Sequence, residues 1–152
     1  MATHLPAESF VALAAIAWAD GRMSKAEAAG LLAAAKAAGL EGEALAAVES
    51  ATKAQTSIDA FDGGALSDWQ RLFTFGVANW LSRLDGVQQR AELDGLRTLA
   101  GKLVGGEVDD HKLKVAEACA FDTAMLPEGR RPERFDFAAL EAKLRERFPK
   151  MK

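Results

Sequence analysis

The chain repeats itself once. Residues 10–40 match residues 75–105 at a constant offset of 65, with eight identical positions. These are Phe10/Phe75, Asp20/Asp85, Gly21/Gly86, Ala26/Ala91, Glu27/Glu92, Gly30/Gly95, Leu31/Leu96 and Ala35/Ala100. Composition alone would give about two or three such matches. The period is too long, and the copies too few, for a solenoid. Two similar halves packed face to face in one domain are the expected solution.

Each half reads as helix. Alanine is abundant, tyrosine is absent, β-branched residues are few, and no alternating run of five or more residues occurs. Pro6 suits the first turn of a helix reaching about residue 19, which Gly21 breaks. Ser24 with Glu27 is a capping-box pattern opening a second helix over 24–38, closed by Gly39. A third helix covers 42–53, and residues 55–65, with Gly63 and Gly64, form the main connection.

Ser67 and Gln70 repeat the capping-box pattern before a fourth helix to about residue 84, striped by Leu72, Phe73, Val77, Trp80 and Leu84. A fifth helix spans 89–104 with Leu93, Leu96, Ala100 and Leu103 as its stripe, and Gly105-Gly106 ends it. Asp109 caps a sixth helix to about residue 121. After a loop with Pro127, Gly129 and Pro132, a seventh helix over 136–148 presents Phe137, Leu140, Leu144 and Phe148 and docks on the body.

The expected fold is therefore all-α. It is a single seven-helix domain over 1–152, built from two three-helix pseudo-repeats plus a C-terminal helix, with its core over about 8–122. Gly30 and Gly95 sit inside the second and fifth helices, where glycine costs about 0.5–1 kcal/mol relative to alanine. They are expected where a neighbouring helix passes closely.

Composition narrows the function. Apolar residues make up 49% of the chain, enough for a core, and the net charge of −3 argues against a nucleic-acid module. The charge is uneven, +3 over residues 128–152 and −6 over the rest, which reads most simply as solvated surface. One cysteine excludes an internal disulfide and fits a reducing compartment. The longest apolar run, Phe10–Ala19, has ten residues, whereas a bilayer-spanning helix needs about 20. No Lys or Arg precedes that run, and a counterpart lies mid-chain, so it is not read as a signal peptide. The expectation is a cytoplasmic protein without direct membrane insertion.

One pattern recurs in both halves: an apolar helix, Asp-Gly, five residues, then Glu at the start of the next helix. It stands as Ala19-Asp20-Gly21 with Glu27, and as Leu84-Asp85-Gly86 with Glu92. Over about residues 8–122 the chain resembles the TerB-like family, the all-helical tellurite-resistance domain also found ahead of a membrane co-chaperone's J domain. Gln88 stands where that family usually has an aliphatic residue, and Leu84 where it has Ala. No His-Pro-Asp occurs, so there is no J domain.

Capping explains part of the pattern. Gly21 supplies a left-handed helix end, and Glu27 reaches back to the cap at Ser24. Asp20 is not explained this way, because an acid at a helix C-terminus opposes the macrodipole by about 0.3–1 kcal/mol. In the second half Gln89 occupies the position of Ser24 and caps poorly, yet Glu92 remains. Two readings stay open. Either the acids receive backbone N–H groups of the following helix, or they bind a hard cation such as Ca²⁺ or Mg²⁺. The spacing is not that of an EF-hand.

The resemblance implies a metal-related role for Asp20, Glu27, Asp85 and Glu92. It also implies a stress-response module partnered by TerC-like membrane proteins and TerD-like calcium-binding proteins. No nucleophile elbow, P-loop or dinucleotide fingerprint is present, so the module is expected to be non-enzymatic. A plain helical scaffold without metal, and least of all a carboxylate-using enzyme, are the alternatives. Glu107, Asp109, Asp110 and His111 crowd one helix start, where acids are favoured in any case. His111 and Cys119 lie on one helix, and a transition-metal site would need more ligands than the remaining His4. Cys119 reads as an inert core thiol, and the three Trp as core or groove residues; Trp18 and Trp80 are not repeat-equivalent and so form no paired aromatic site.

Overall fold

A computed structural model describes residues 5–18, 25–54, 66–81, 90–125 and 137–151. They form seven helices and no strand: α1 (Ala7–Ala17), α2 (Lys25–Ala37), α3 (Gly42–Lys53), α4 (Asp68–Leu81), α5 (Arg90–Leu103), α6 (Asp110–Met125) and α7 (Phe137–Arg147). The all-α architecture expected from the sequence is thus observed. Ser24, Gly21, Gly86, the 55–65 connection and the loop around Pro127 lie outside the described residues.

Local chemistry accounts for the ends that are described. Ser67 N donates to Gln70 Oε1 at 3.0 Å and Gln70 N to Ser67 Oγ at 3.2 Å, so the capping box forms at the start of α4. Asp109 Oδ1 accepts from Lys112 N at 2.9 Å and caps α6. Pro6 is the N-cap of α1, extended at φ −71° and ψ 161°, one position earlier than expected. At the end of α2, Gly39 has φ 90°, its N–H meets the Lys36 carbonyl, and Leu40 N reaches back to Ala35 O, both at 3.0 Å. That pair of bonds is a Schellman closure, which needs a residue free of the Cβ penalty at Gly39. Helix α6 runs to Met125 rather than about residue 121, since Asp122-Thr123-Ala124 carries no breaker.

Helix α4 is the spine. Residues 72–80 are buried without interruption, and α4 touches α1, α2, α5, α6 and α7. Its partner in the repeat, α1, touches α2, α3, α4 and α5. Exchanging the halves preserves this pattern: α1–α2 corresponds to α4–α5, α1–α3 to α4–α6, and α1–α5 to α4–α2. The repeat-identical residues face inward. Phe10 and Phe75 are buried, as are Leu31 and Leu96. Where the α1–α4 pair meets, Thr74 Oγ1 donates to Ser9 Oγ at 3.3 Å, with both side chains fully buried. These two residues are separated by the repeat offset of 65.

One contact breaks the pattern. Helix α2 packs on α3, but α5 has no comparable contact with α6. The connection from α5 to α6 is longer, and it is pinned elsewhere. Gly105 and Val108 form an isolated antiparallel bridge, with Gly105 N to Val108 O at 3.0 Å and Val108 N to Gly105 O at 2.9 Å. Gly106, at φ 57°, lies so close to Asp68 that a Cβ there would meet Oδ1 at 2.6 Å. Asp68 Oδ1 also accepts from Glu107 N at 3.4 Å. The start of α6 is therefore tied to the start of α4, and α4–α6 is the most extensive helix pair.

Helix α7 covers the outer side of α4 and α6, as its stripe implied. Leu140 and Leu144 are fully buried and Phe148 packs on the core; Phe137's side chain falls outside the description. Leu140 Cδ2 would lie 3.5 Å from a Cβ at Gly76. The Arg145 guanidinium stacks 3.6 Å above the Trp69 ring, and its Nη1 donates to Met151 O at 2.6 Å. Of the other tryptophans, Trp80 is fully buried in the core, and Trp18 is half-buried with Nε1 donating to Ala51 O at 2.8 Å.

Gly30 is buried and Gly95 half-buried, so neither is open to solvent. The stripe assigned to α5 needs correction. Leu96 and Leu103 are buried, but so is Leu99, while Leu93 is 39% exposed. The reason is that α5 turns its face toward α4 and α1 rather than toward α6.

Candidate functional site

Of the four acids in the repeated pattern, Glu27 alone has a described side chain. It is buried in the first turn of α2, where a carboxylate is favoured by the helix N-terminus, and it is engaged with a neighbour. Glu92 lies in the first turn of α5 and its side chain falls outside the described set, as do Asp20 and Asp85 entirely. Among the described residues no three His, Cys, Asp or Glu side chains gather in a metal-holding group. Glu27 by itself offers a hard cation one carboxylate, fewer than the several oxygens Ca²⁺ takes.

The other sequence candidates separate as well. His111 is exposed and Cys119 buried, although both lie on α6. Burial pushes the Cys119 thiol up, with Arg147 and Lys143 pulling the other way. A thiol so placed holds little thiolate and is a poor nucleophile.

The feature with chemical capacity is the gap between α5 and α6. It is a groove of about 430 Å³, open to solvent, with Phe75 and Asn79 of α4 as its floor. Leu93, Leu96 and Ala100 line the α5 wall, and Leu113 the α6 wall. Arg97 stands on the α5 rim, and Asp110, Lys114 and Glu117 on the α6 rim. The floor is mostly apolar, with one polar group. Asn79 is fully buried and its Nδ2 donates to Phe75 O at 2.8 Å; its repeat counterpart in α1 is Ala14.

The exposed large apolar residues of the described chain are Leu93, Val104 and Phe121. Leu93 lines the groove, whereas Val104, just past the end of α5, and Phe121, on α6, are not among its lining residues. Sequence reading placed Leu93 in the core and did not single out Phe121. Leu93 and Leu99 lie on different faces of α5, so a helix packed on α4 and α1 buries Leu99 and leaves Leu93 exposed.

No family model, curated protein or solved structure matches this chain. Among the described residues, no helix is long and apolar enough to cross a membrane.

Proposed function

We propose that this chain is a non-enzymatic, TerB-like stress-response module of the cytoplasm that acts by binding a protein partner. The observation that carries the reading is the solvent-open α5–α6 groove, whose largely apolar lining includes the exposed Leu93. The repeat of Asp-Gly-x5-Glu in a seven-helix setting supports the family resemblance. Its acids, Asp20, Glu27, Asp85 and Glu92, are the candidate ligands of a divalent cation, Ca²⁺ or Mg²⁺. That part of the reading rests on the sequence repeat. A buried Cys119 and mixed-charge rims offer no nucleophile and no paired acid–base set, which favours binding over catalysis.

Thermal melting of the wild type and of Asp85→Ala, each with millimolar Ca²⁺, Mg²⁺ or chelator, tests the cation. A ligand held by the folded state alone at 100 times its dissociation constant adds about 2.7 kcal/mol of stability. The wild type should melt higher with cation and the variant should not. A wild-type melting temperature indifferent to cation removes the metal and leaves a plain partner-binding module. Affinity capture from the source cell, with and without cation, then reads the partner.

A further inference from the structure

We infer that α7 is a latch: it lifts from α4 and α6 as a unit while the six-helix body stays folded, and in lifting it uncovers Trp69 and Cys119. The inference is independent of the partner and cation readings above. Helices α1 to α6 account for both copies of the repeat, whereas α7 has no counterpart in it and packs on α6 and α4.

Its hold is narrow. Leu140 and Leu144 are the buried side chains described within α7, and residues 139, 141–143 and 145–147 are half-buried or exposed. Leu140 Cδ2 and Leu144 Cδ1 rest over Gly76, 3.5 and 3.7 Å from where a Cβ would stand, so no side chain of α4 interlocks with them at that position. The body has a core of its own. Phe10, Leu13, Leu31, Val48, Leu99 and Leu103 are fully buried on helices other than the two that α7 packs on. An element held by few buried apolar groups opens at a smaller cost than the core beside it.

One clasp closes the far end. The Arg145 guanidinium lies 3.6 Å above the ring of Trp69, in the first turn of α4, and Trp69 leans on Phe73 with ring centroids 6.0 Å apart. Arg145 Nη1 donates to Met151 O at 2.6 Å, and the buried Met151 donates its N–H to Phe148 O at 3.3 Å. The chain after α7 thus turns back onto the same arginine that holds the tryptophan. A cation over an aromatic face gains strength when drawn out of water, so the clasp favours the closed form.

Cys119 lies under this helix. It is buried on α6, and among the described residues the charged groups that act on its thiol are Arg147, Lys143 and Glu146 of α7 and Asp122 of α6. It is also the one cysteine of the chain, so its accessibility reports the latch without ambiguity.

The test follows that thiol in the full chain with an excess of an aromatic disulfide reagent, whose released thiolate is read by absorbance, across a urea series. At low urea the labelling rate should be nearly independent of urea, because lifting one helix exposes little surface; it should rise steeply only near the unfolding midpoint. At low urea Arg145→Gln should speed labelling about tenfold, and Leu144→Ala about thirtyfold or more. Arg145 is half-buried and fills no core position, so that variant keeps its fold, which circular dichroism checks. Leu99→Ala, in the body, should lower the unfolding midpoint and leave the low-urea rate unchanged. A wild-type rate as steep in urea as global unfolding, or Leu99→Ala speeding labelling as much as Leu144→Ala, makes α7 part of one cooperative core and overturns the inference. So does a rate that ignores both Arg145→Gln and Leu144→Ala, since the thiol would then be reached without moving α7. A wild-type thiol that reacts as fast as a free cysteine also overturns it, because α7 would then cover nothing.

Discussion

The two halves share a repeat but not a degree of closure. In the first, α2 and the residue that follows it bury Ala34, Ala35 and Ala38, and α2 packs on α3. In the second, the positions of Ala34 and Ala38 are taken by Leu99 and Leu103, both fully buried, and α5 has no comparable contact with α6. Helix separations of about 8–10 Å depend on the side chains at the contact, and small residues such as the alanines of the first half permit close approach. The connection adds to this, because α6 begins 68 residues after α3 rather than 65. The extra length lets the Gly105–Val108 bridge fasten α6 to α4. Similar helices in a similar order therefore give a closed half and a grooved half.

The outward faces differ in the same sense. Phe73 of α4 is fully buried beneath its neighbours, whereas its counterpart Glu8 in α1 is exposed. Trp80 likewise replaces Ala15. The second half thus carries more apolar bulk than three helices can cover. Helix α7 covers one side of it, and the groove is what remains on the other.

The contrast can be broken from either half. The largest effect should come from giving α5 the alanines of α2. Leu99→Ala and Leu103→Ala should each destabilise by about 2–5 kcal/mol in urea unfolding, the range for buried leucine truncation. The reverse substitution, Ala34→Leu, overpacks the closed half and should cost about 1–3 kcal/mol. If Ala34→Leu proves neutral, α2 has room that the alanines do not indicate, and side-chain volume is not what separates the halves. The smallest effect belongs to the pair joining them. A double-mutant cycle of Ser9→Ala and Thr74→Val should give a coupling of about 1 kcal/mol, the net worth of one hydrogen bond.

The helices were legible because their punctuation is local. Ser67 with Gln70, Asp109, Gly39 and Gly105-Gly106 each act within a few residues, and α3 matches the expected 42–53 at both ends. Gly76 escaped notice because it lies inside an apolar run with Val11 as its counterpart, so no repeated glycine flags it. The groove was not legible. It depends on α5 packing on α4 and α1 rather than on α6, and on a turn that Asp68, 39 residues before Glu107, holds in place. The acids of the repeated pattern stay a sequence argument, with Glu27 alone placed, in the interior rather than on a rim.

The hydroxyl contact between Ser9 and Thr74 bears on symmetry itself. In an isologous association, a side chain on the axis meets its own copy. A carboxylate there would face a carboxylate, and an ammonium an ammonium. A hydroxyl carries one donor and two acceptor sites, so it can bond to another of its kind without a change of chemistry. Serine in one half and threonine in the other keep that self-complementarity while the residues around them, Glu8 against Phe73 and Ala14 against Asn79, have diverged in size and charge.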